Sequence, residues 1–184
     1  MDKSTVIVHT RRWIESIVIG LNLCPFARRV CAADQIRYLV SEAQDEAALL
    51  ADLARELESL ASPNSPIETT LLIHPNFLHD FLDYNDFLDP AERLIEKLGL
   101  SGVIQLASFH PDYQFAEVAA DAVENYTNRS PYPMLHLLRE MSITEGAGDE
   151  EEMLEIPRRN VATLRALGRE KILALLRAIA DDGQ

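Results

Sequence analysis

Three short runs of apolar residues, separated by helix-like segments, constrain the fold of this chain more than any other feature. They are Ile36–Val40, Thr69–Ile73 and Gly102–Phe109. None shows the polar alternation of a half-exposed strand, which is typical of strands buried on both faces. Successive strand–helix–strand units predict parallel strands joined by right-handed crossovers. We therefore expect an α/β fold with a small, mostly parallel three-stranded sheet flanked by about six helices, or alternatively an α+β fold with one antiparallel strand.

The helical segments are predicted from apolar residues that recur at helical spacing and from capping residues at their ends. The expected helices are 5–23, 45–60, 76–84, 90–98, 133–141 and a last one from 157 onward. Proline marks the start of three of them, because its fixed φ angle suits the first turn of a helix. These prolines are Pro90, Pro133 and Pro157.

Length and composition indicate a single globular domain over residues 1–184. A chain of 184 residues, 47% hydrophobic and 26% charged, can bury enough surface to fold without a disulfide or a metal. The acidic, glycine-containing segment 144–155 is expected to be a mobile loop or a short helix within this domain. No segment has the pattern of a signal peptide or a membrane span, and two cysteines are too few for a disulfide framework. We therefore expect a cytoplasmic protein.

The charge balance argues against nucleic-acid and membrane partners. The chain has 17 basic and 30 acidic residues, a formal net charge of −13. A field of that sign repels phosphate backbones and anionic lipid surfaces. The chain also lacks a glycine-rich phosphate loop, so it has no nucleotide-binding motif. A small-molecule ligand is the expected partner, and the sequence is compatible with a homodimer.

Polar side chains follow all three strand candidates. Glu42 follows the first strand, His74 the second, and His110 with Asp112 the third. If the strands are parallel, these groups gather at the carboxyl edge of the sheet, where open α/β sheets bind ligands. His110 is then a candidate general acid or base that Asp112 orients, and His74, His110 and Glu42 could hold a divalent metal. In the alternative interpretation, each histidine closes its strand and hydrogen-bonds loop carbonyls.

Cys24 is the second candidate group. The segment that follows it, Pro25–Arg29, contains two arginines, and a cysteine near arginines at a helix N-terminus has a lowered pKa and acts as a nucleophile. Cys24 also lies among Leu21, Leu23 and Phe26, and buried free cysteine is common in proteins. A reactive thiol and a packed wall residue are both consistent with this pattern.

The third candidate is the segment Asn128–Pro133. Two prolines hold Arg129 in a stiff segment just before an expected helix, and arginine together with free backbone N–H groups suits an anion. Asn128 and Tyr113 are the nearby polar side chains that we expect to contact a substrate. Alternatively, Arg129 ties the loop together by donating to carbonyl groups.

Five longer motifs resemble one known family. They are GLNLCPFA at 20–27, DYNDFL at 83–88, ASFHPDYQF at 107–115, NRSPYPMLHLLRE at 128–140 and EIPRRN at 155–160. They are similar to an uncharacterised bacterial family, domain of unknown function 1415, and together they span nearly the whole chain. The resemblance implies no activity. It leads us to expect glycine at position 117, where this chain has glutamate.

Two functions are consistent with these observations, and the sequence does not decide whether the protein is an enzyme. The first is an enzyme that acts on a small anionic metabolite at the carboxyl edge of the sheet, with Arg129 holding the anion. The second is a non-enzymatic binding or adaptor domain that docks a basic partner through the acidic, aromatic surface from Phe77 to Leu88. The enzyme is favoured if 109–113 and 128–133 converge on a pocket with Cys24.

Overall fold

The computed structural model of the protein describes residues 2–142 and 150–181, except for the side chains of 150–153. The described helices are α1 (Lys3–Trp13), a π-helix (Ile14–Ile19), α2 (Ala27–Ala32), α3 (Glu46–Ala61), α4 (Phe81–Lys97), a 3-10 helix (Val123–Thr127), α5 (Glu150–Leu167) and α6 (Arg169–Ala180). The strands are β1 (Ile36–Val40), β2 (Thr69–Ile73), β3 (Ile104–Phe109) and β4 (Met134–Arg139). Within the described ranges, the helices are too short or too polar to cross a membrane.

The four strands form one mixed sheet in the order β1-β2-β4-β3. β1 and β2 are parallel, and β4 is antiparallel to both of its neighbours. Consequently β1, β2 and β3 run in the same direction, as expected from the sequence. The prediction of a mostly parallel, three-stranded sheet is wrong because β4 lies between β2 and β3. The α/β class is confirmed, and the alternative with an antiparallel strand fits the sheet.

The extra strand comes from the segment 133–141, which we expected to be a helix. Its leucines have good helix propensity, but a segment that pairs on both sides gains burial that outweighs this preference. Leu135, for example, pairs with Leu72 on one side and Ser108 on the other. Met134, Leu135 and Leu137 are 0% exposed. Tertiary pairing therefore decides the conformation of this segment.

Proline also led to a wrong boundary in α4. The segments 76–84 and 90–98 were expected to be separate helices, yet α4 is continuous and contains Pro90. Its buried face, formed by Tyr84, Phe87, Ala91 and Ile95, continues across the proline, so packing outweighs the missing hydrogen bond. The helix begins at Asp80, whose carboxylate accepts from two backbone N–H groups of the first turn.

The C-terminal prediction also needs correction. The single last helix expected from Pro157 is instead two helices, α5 and α6, which Gly168 separates with a φ of +81°. Residues 143–149, most of the loop predicted at 144–155, lie outside the described residues. Residues 150–155 form the start of α5.

Helices cover both faces of the sheet, and each face has its own core. On the first face, here called the α1 face, Leu71, Ile73 and Phe109 pack with α1, the π-helix, α5 and α6. On the second, the α4 face, Leu72, Leu135 and Leu137 pack with α3 and α4. Because side chains alternate along a strand, the adjacent residues Leu71 and Leu72 belong to different cores.

Candidate functional site

The two histidines at the strand ends lie at the same edge of the sheet but not on adjacent strands. β4 separates β2 from β3, so the strands that carry His74 and His110 are about 10 Å apart rather than about 5 Å. Tyr84 of α4 fills the interval between the two imidazoles. Its ring centroid is 5.8 Å from that of His74 and 5.1 Å from that of His110. We call these three residues the imidazole–tyrosine cluster.

His110 is fully occupied by hydrogen bonds within the protein. Its Nδ1 accepts from the backbone N–H of Asp112 at 3.0 Å, and its Nε2 donates to the carbonyl of Leu78 at 3.2 Å. Leu78 presents this carbonyl from a left-handed conformation with a φ of +57°. The side chain of His110 is 0% exposed, and burial lowers its pKa. Asp112 therefore orients the imidazole through its backbone rather than through its carboxylate.

Two buried polar side chains complete the cluster. His74 donates from Nδ1 to the carbonyl of Phe77 at 3.0 Å, while its buried Nε2 has no partner. Burial lowers the pKa of His74 to about 4, so the ring is neutral. The hydroxyl of Tyr84 donates to the carbonyl of Met134 at 2.8 Å and accepts from the N–H of Phe109 at 3.0 Å. The tyrosine thus joins the start of β4 to the end of β3.

The metal site predicted at His74, His110 and Glu42 is not assembled. Glu42 forms an ion pair with Lys3 at 3.0 Å, and its side chain is 78% exposed. It lines a polar depression of about 630 Å³ beside β1, away from the buried imidazoles. Across 2–142 and 150–181, no three His, Cys, Asp or Glu side chains are grouped so that they could hold a metal ion. The prediction is wrong because Glu42 leaves the sheet edge towards α1.

Arg129 and its neighbours hold the loop between β3 and β4. The guanidinium donates from Nε to the carbonyl of Tyr113 at 3.1 Å and from Nη2 to that of Ala120 at 2.7 Å. It also lies 4.6 Å from the ring centroid of Tyr126. Asn128 donates from its side chain to the carbonyl of Ser108 at 3.1 Å. These contacts support the interpretation in which Arg129 holds the loop together, and not the one in which it binds an anion.

Cys24 lies on the α1 face, where two hollows meet. An outer cleft of about 470 Å³ opens between the π-helix, the segment 109–128 and α5. An inner cavity of about 90 Å³ lies between the π-helix, α2 and the sheet. Val18, Cys24 and Phe109 line both hollows, so the two adjoin at these side chains.

The wide turns of the π-helix shape this region. A Cβ atom on Gly20 would lie 2.3 Å from the carbonyl oxygen of Ser16, so only glycine can end the π-helix without a shift of the backbone. The turn continues through a bond from the N–H of Leu23 to the carbonyl of Val18 at 2.8 Å. This path brings Val18 and Cys24 to the junction of the hollows. π-Helical turns are frequent at functional sites.

Trp13 and Phe109 form the aromatic wall between α1 and the sheet. Their rings meet edge to face, with centroids 5.3 Å apart. The indole N–H of Trp13 donates to the carbonyl of Arg129 at 3.1 Å. The aromatic wall of the inner cavity is thereby fixed to the same loop that Arg129 holds.

His136 is one of three polar strand residues that line the inner cavity, with Thr69 and Arg139. Its Nε2 lies 2.6 Å from the hydroxyl of Thr69, and that hydroxyl lies 2.7 Å from the carbonyl of Leu137. Burial lowers the pKa of His136 to about 4. The residue is partly accessible and lines the cavity together with the exposed Arg29.

Cys24 and Asn160 are two polar residues in the lining of the outer cleft. Burial raises the pKa of the Cys24 thiol, which stays protonated at neutral pH despite the arginines that follow it. Asn160 of α5 donates to the carbonyl of Leu23 at 2.7 Å, but its buried Oδ1 has no partner. The observed thiol matches a wall residue better than an activated nucleophile.

A comparison with protein families decides the relationship suggested by the sequence motifs. The sequence profile described as "Protein of unknown function (DUF1415)" matches residues 5–174. The chain belongs to the DUF1415 family. Comparisons with curated proteins and with solved structures find no match.

Several DUF1415 motifs quoted above meet at the two hollows. The motif at 20–27 supplies Cys24, the motif at 107–115 supplies Phe109, and the motif at 155–160 supplies Asn160. Position 117, where we expected glycine, has a φ of +62°, a conformation that glycine adopts without steric cost. Glu117 therefore holds a left-handed conformation that is sterically costly for a residue other than glycine.

Sequence reasoning missed two contributors to the site. His136 lies in the segment 133–141, which was expected to be a helix because β4 itself was not predicted. The role of Trp13 depends on the π-helix that follows it, and apolar spacing does not distinguish a π-turn from an α-turn. Asn160 stood within a quoted motif, and that motif was the available signal for it.

Proposed function

We propose that this DUF1415 protein binds a small, largely apolar molecule that occupies the outer cleft and extends into the inner cavity. The observation that carries the proposal is the sharing of Val18, Cys24 and Phe109 by both hollows. Ligand sites commonly have volumes of about 300–1,000 Å³, a range that includes the outer cleft. The inner cavity of about 90 Å³ admits a terminal group rather than a whole ligand.

The lining of the hollows supports an apolar ligand. Trp13, Ile14 and Leu71 line the inner cavity, and Phe115 and Val161 line the outer cleft. Apolar walls with a few placed polar groups are the usual composition of small-molecule sites. The polar groups with unmet capacity, His136 and Asn160, are few and lie at different depths.

Binding rather than catalysis is the better-supported activity. The proposed acid–base pair, His110 and Asp112, borders neither hollow, and Arg129 is occupied by carbonyl groups. Because its thiol is protonated, Cys24 is better explained as a residue that lines the junction of the hollows than as a nucleophile. The adaptor function has weaker support, because Tyr84 and Phe87 of the proposed acidic–aromatic surface are 0% and 3% exposed.

The test fills the junction of the two hollows with a larger side chain. Val18→Phe places a larger side chain where the hollows meet, and Val8→Phe makes the same change at a position of α1 that is 40% exposed. Toluene is titrated into each protein and followed by ¹H–¹⁵N NMR, with the indole N–H of Trp13, the one tryptophan of the chain, as reporter.

We expect saturable shifts of the Trp13 resonance in the wild-type protein and in Val8→Phe, and at least a tenfold weaker response in Val18→Phe. Circular dichroism establishes that both variants are folded. Equal binding by Val18→Phe, or the absence of a saturable response in the wild-type protein, would contradict the proposal.

A further inference from the structure

The hydrogen-bonding state of His136 is fixed by its neighbour. The hydroxyl of Thr69 carries one hydrogen and lies within bonding distance of both the Leu137 carbonyl and Nε2 of His136. The carbonyl can only accept, so both bonds form only if the hydroxyl donates to Leu137 and accepts from Nε2–H. In that tautomer, Nδ1 of His136 carries a lone pair and is a hydrogen-bond acceptor.

In the described part of the protein, Nδ1 of His136 has no hydrogen-bond partner. Unlike Nε2 of His74 and Oδ1 of Asn160, which are buried without a partner, it retains accessible surface. Since His136 lines the inner cavity, this acceptor is available to a group that enters the cavity.

The charges in the lining of the cavity do not favour an anion. Arg139 lines it, but its Nε donates to the carbonyl of Ile67 at 3.2 Å and its Nη2 to that of Ser62 at 3.1 Å, and the carboxylate of Glu68 in the same lining repels an anion. Arg29 also contributes to the lining, yet its side chain is exposed and hydrated by solvent. An ionised carboxylate moved into apolar surroundings without a cation or sufficient donors is strongly disfavoured.

We infer that the group of the ligand entering the inner cavity is an uncharged hydrogen-bond donor, such as a hydroxyl, which donates to Nδ1 of His136. This inference rests on the proposed function and specifies the chemical class of its ligand: a small neutral molecule with an apolar body and one terminal donor. It replaces the small anionic metabolite expected from the sequence.

The test compares three probes that share a benzene ring. Phenol carries a donor, toluene carries a methyl group of similar size, and benzoate carries an anion. Each is titrated into the wild-type protein and into His136→Phe, and the dissociation constant is read from the Trp13 indole resonance. One neutral hydrogen bond contributes about 0.5–1.5 kcal/mol, so phenol should bind about 2- to 12-fold more tightly than toluene.

In His136→Phe we expect this preference to disappear while toluene still binds, because the acceptor is lost and the apolar walls remain. Benzoate should bind at least tenfold more weakly than phenol. If toluene binds and phenol shows no advantage, or if benzoate binds best, the donor inference is overturned while the proposed function stands. If none of the three binds the wild-type protein, both are overturned.

His136→Phe also removes the partner of Thr69, so folding is controlled separately. Thr69→Val keeps the imidazole but releases its tautomer, and it should reduce the preference for phenol without abolishing toluene binding. An unchanged preference in both folded variants would overturn the assignment of Nδ1 as the acceptor.

Discussion

Both faces of the sheet hold buried, neutral histidines, but their surroundings differ. On the α4 face, His74 and His110 pack against Tyr84, and their ring nitrogens, except Nε2 of His74, bond to the protein itself. On the α1 face, His136 borders a void and keeps an acceptor available to it. The comparison teaches that hydrogen bonds within the protein give His74 and His110 a structural role. A histidine that lines a cavity, such as His136, is the better indicator of a ligand site.

The largest effect should come from acid. The pKa of His74 and that of His136 fall to about 4 in the folded protein, from about 6.5 in an unfolded chain. Below pH 6.5 the unfolded chain binds protons that the folded protein excludes, so the free energy of unfolding falls as pH drops from 6.5 towards 4. Each histidine contributes roughly 3 kcal/mol to this loss.

Urea denaturation at a series of pH values measures this dependence. His74→Gln should flatten the profile between pH 6.5 and 4, whereas His79→Gln, at an exposed position, should leave it unchanged. A wild-type profile that is flat in this window would show that the histidines are not held neutral by the fold.

The next largest effect should come from the hydroxyl of Tyr84. Tyr84→Phe keeps the ring but leaves the Met134 carbonyl and the Phe109 N–H without their partner. Each buried group left unsatisfied costs about 1–3 kcal/mol, so we expect a destabilisation of about 2–5 kcal/mol in urea denaturation. Tyr113→Phe is the control, because within the described residues that hydroxyl has one partner, the hydroxyl of Ser108 at 3.4 Å. Equal losses of unfolding free energy in Tyr84→Phe and Tyr113→Phe would contradict the structural role assigned to the hydroxyl of Tyr84.

Overpacking at two adjacent residues of β2 distinguishes the faces more finely. Leu72→Phe places extra volume in the closed α4 face and should cost about 1–3 kcal/mol. Leu71→Phe directs the same volume towards the inner cavity, so it should cost less than about 1 kcal/mol. Leu71→Phe should also weaken toluene binding, which Leu72→Phe should not. A larger loss of stability for Leu71→Phe would mean that the cavity does not accept a side chain.

The smallest effect concerns the chemistry of Cys24. Because burial raises its pKa, its thiolate fraction at pH 7.5 should be low. Iodoacetamide should therefore alkylate Cys24 more slowly in the native protein than in the urea-unfolded chain, and toluene should slow the native reaction further. Mass spectrometry of the peptide that contains Cys24 measures the rate. Faster alkylation of the native protein would support the nucleophile that we have set aside.

The sequence predicted the parts of the fold that depend on local pattern. Apolar spacing predicted the three apolar strands and the helix that Asp45 caps. The common direction of these three strands follows from the handedness of strand–helix–strand connections. β4 could not be found in this way, because its leucines are strand residues only through pairing with β2 and β3. The helix boundary predicted at Pro90 is wrong for a related reason. The buried face of α4 continues across the proline, and its packing outweighs one missing hydrogen bond.

The candidate site was predictable only in part. Cys24 was identified as a site residue, but its environment depends on the π-helix, which leaves no distinct pattern in the sequence. His110 and Asp112 were predicted to form an acid–base pair, and the hydrogen bond between them uses the backbone N–H of Asp112. Which nitrogen of a histidine is free, and whether a void adjoins it, depends on packing between residues far apart in the chain.

The most direct test of the central claim is to locate toluene in the protein by intermolecular nuclear Overhauser effects. Leu71 and Leu72 are neighbours in β2, and their methyl groups report on opposite faces of the sheet. We predict contacts from toluene to the Leu71 methyl groups and the Trp13 indole, and none to Leu72 or Tyr84. Contacts confined to Leu72 and Tyr84, or none to either face at saturating toluene, would contradict the account.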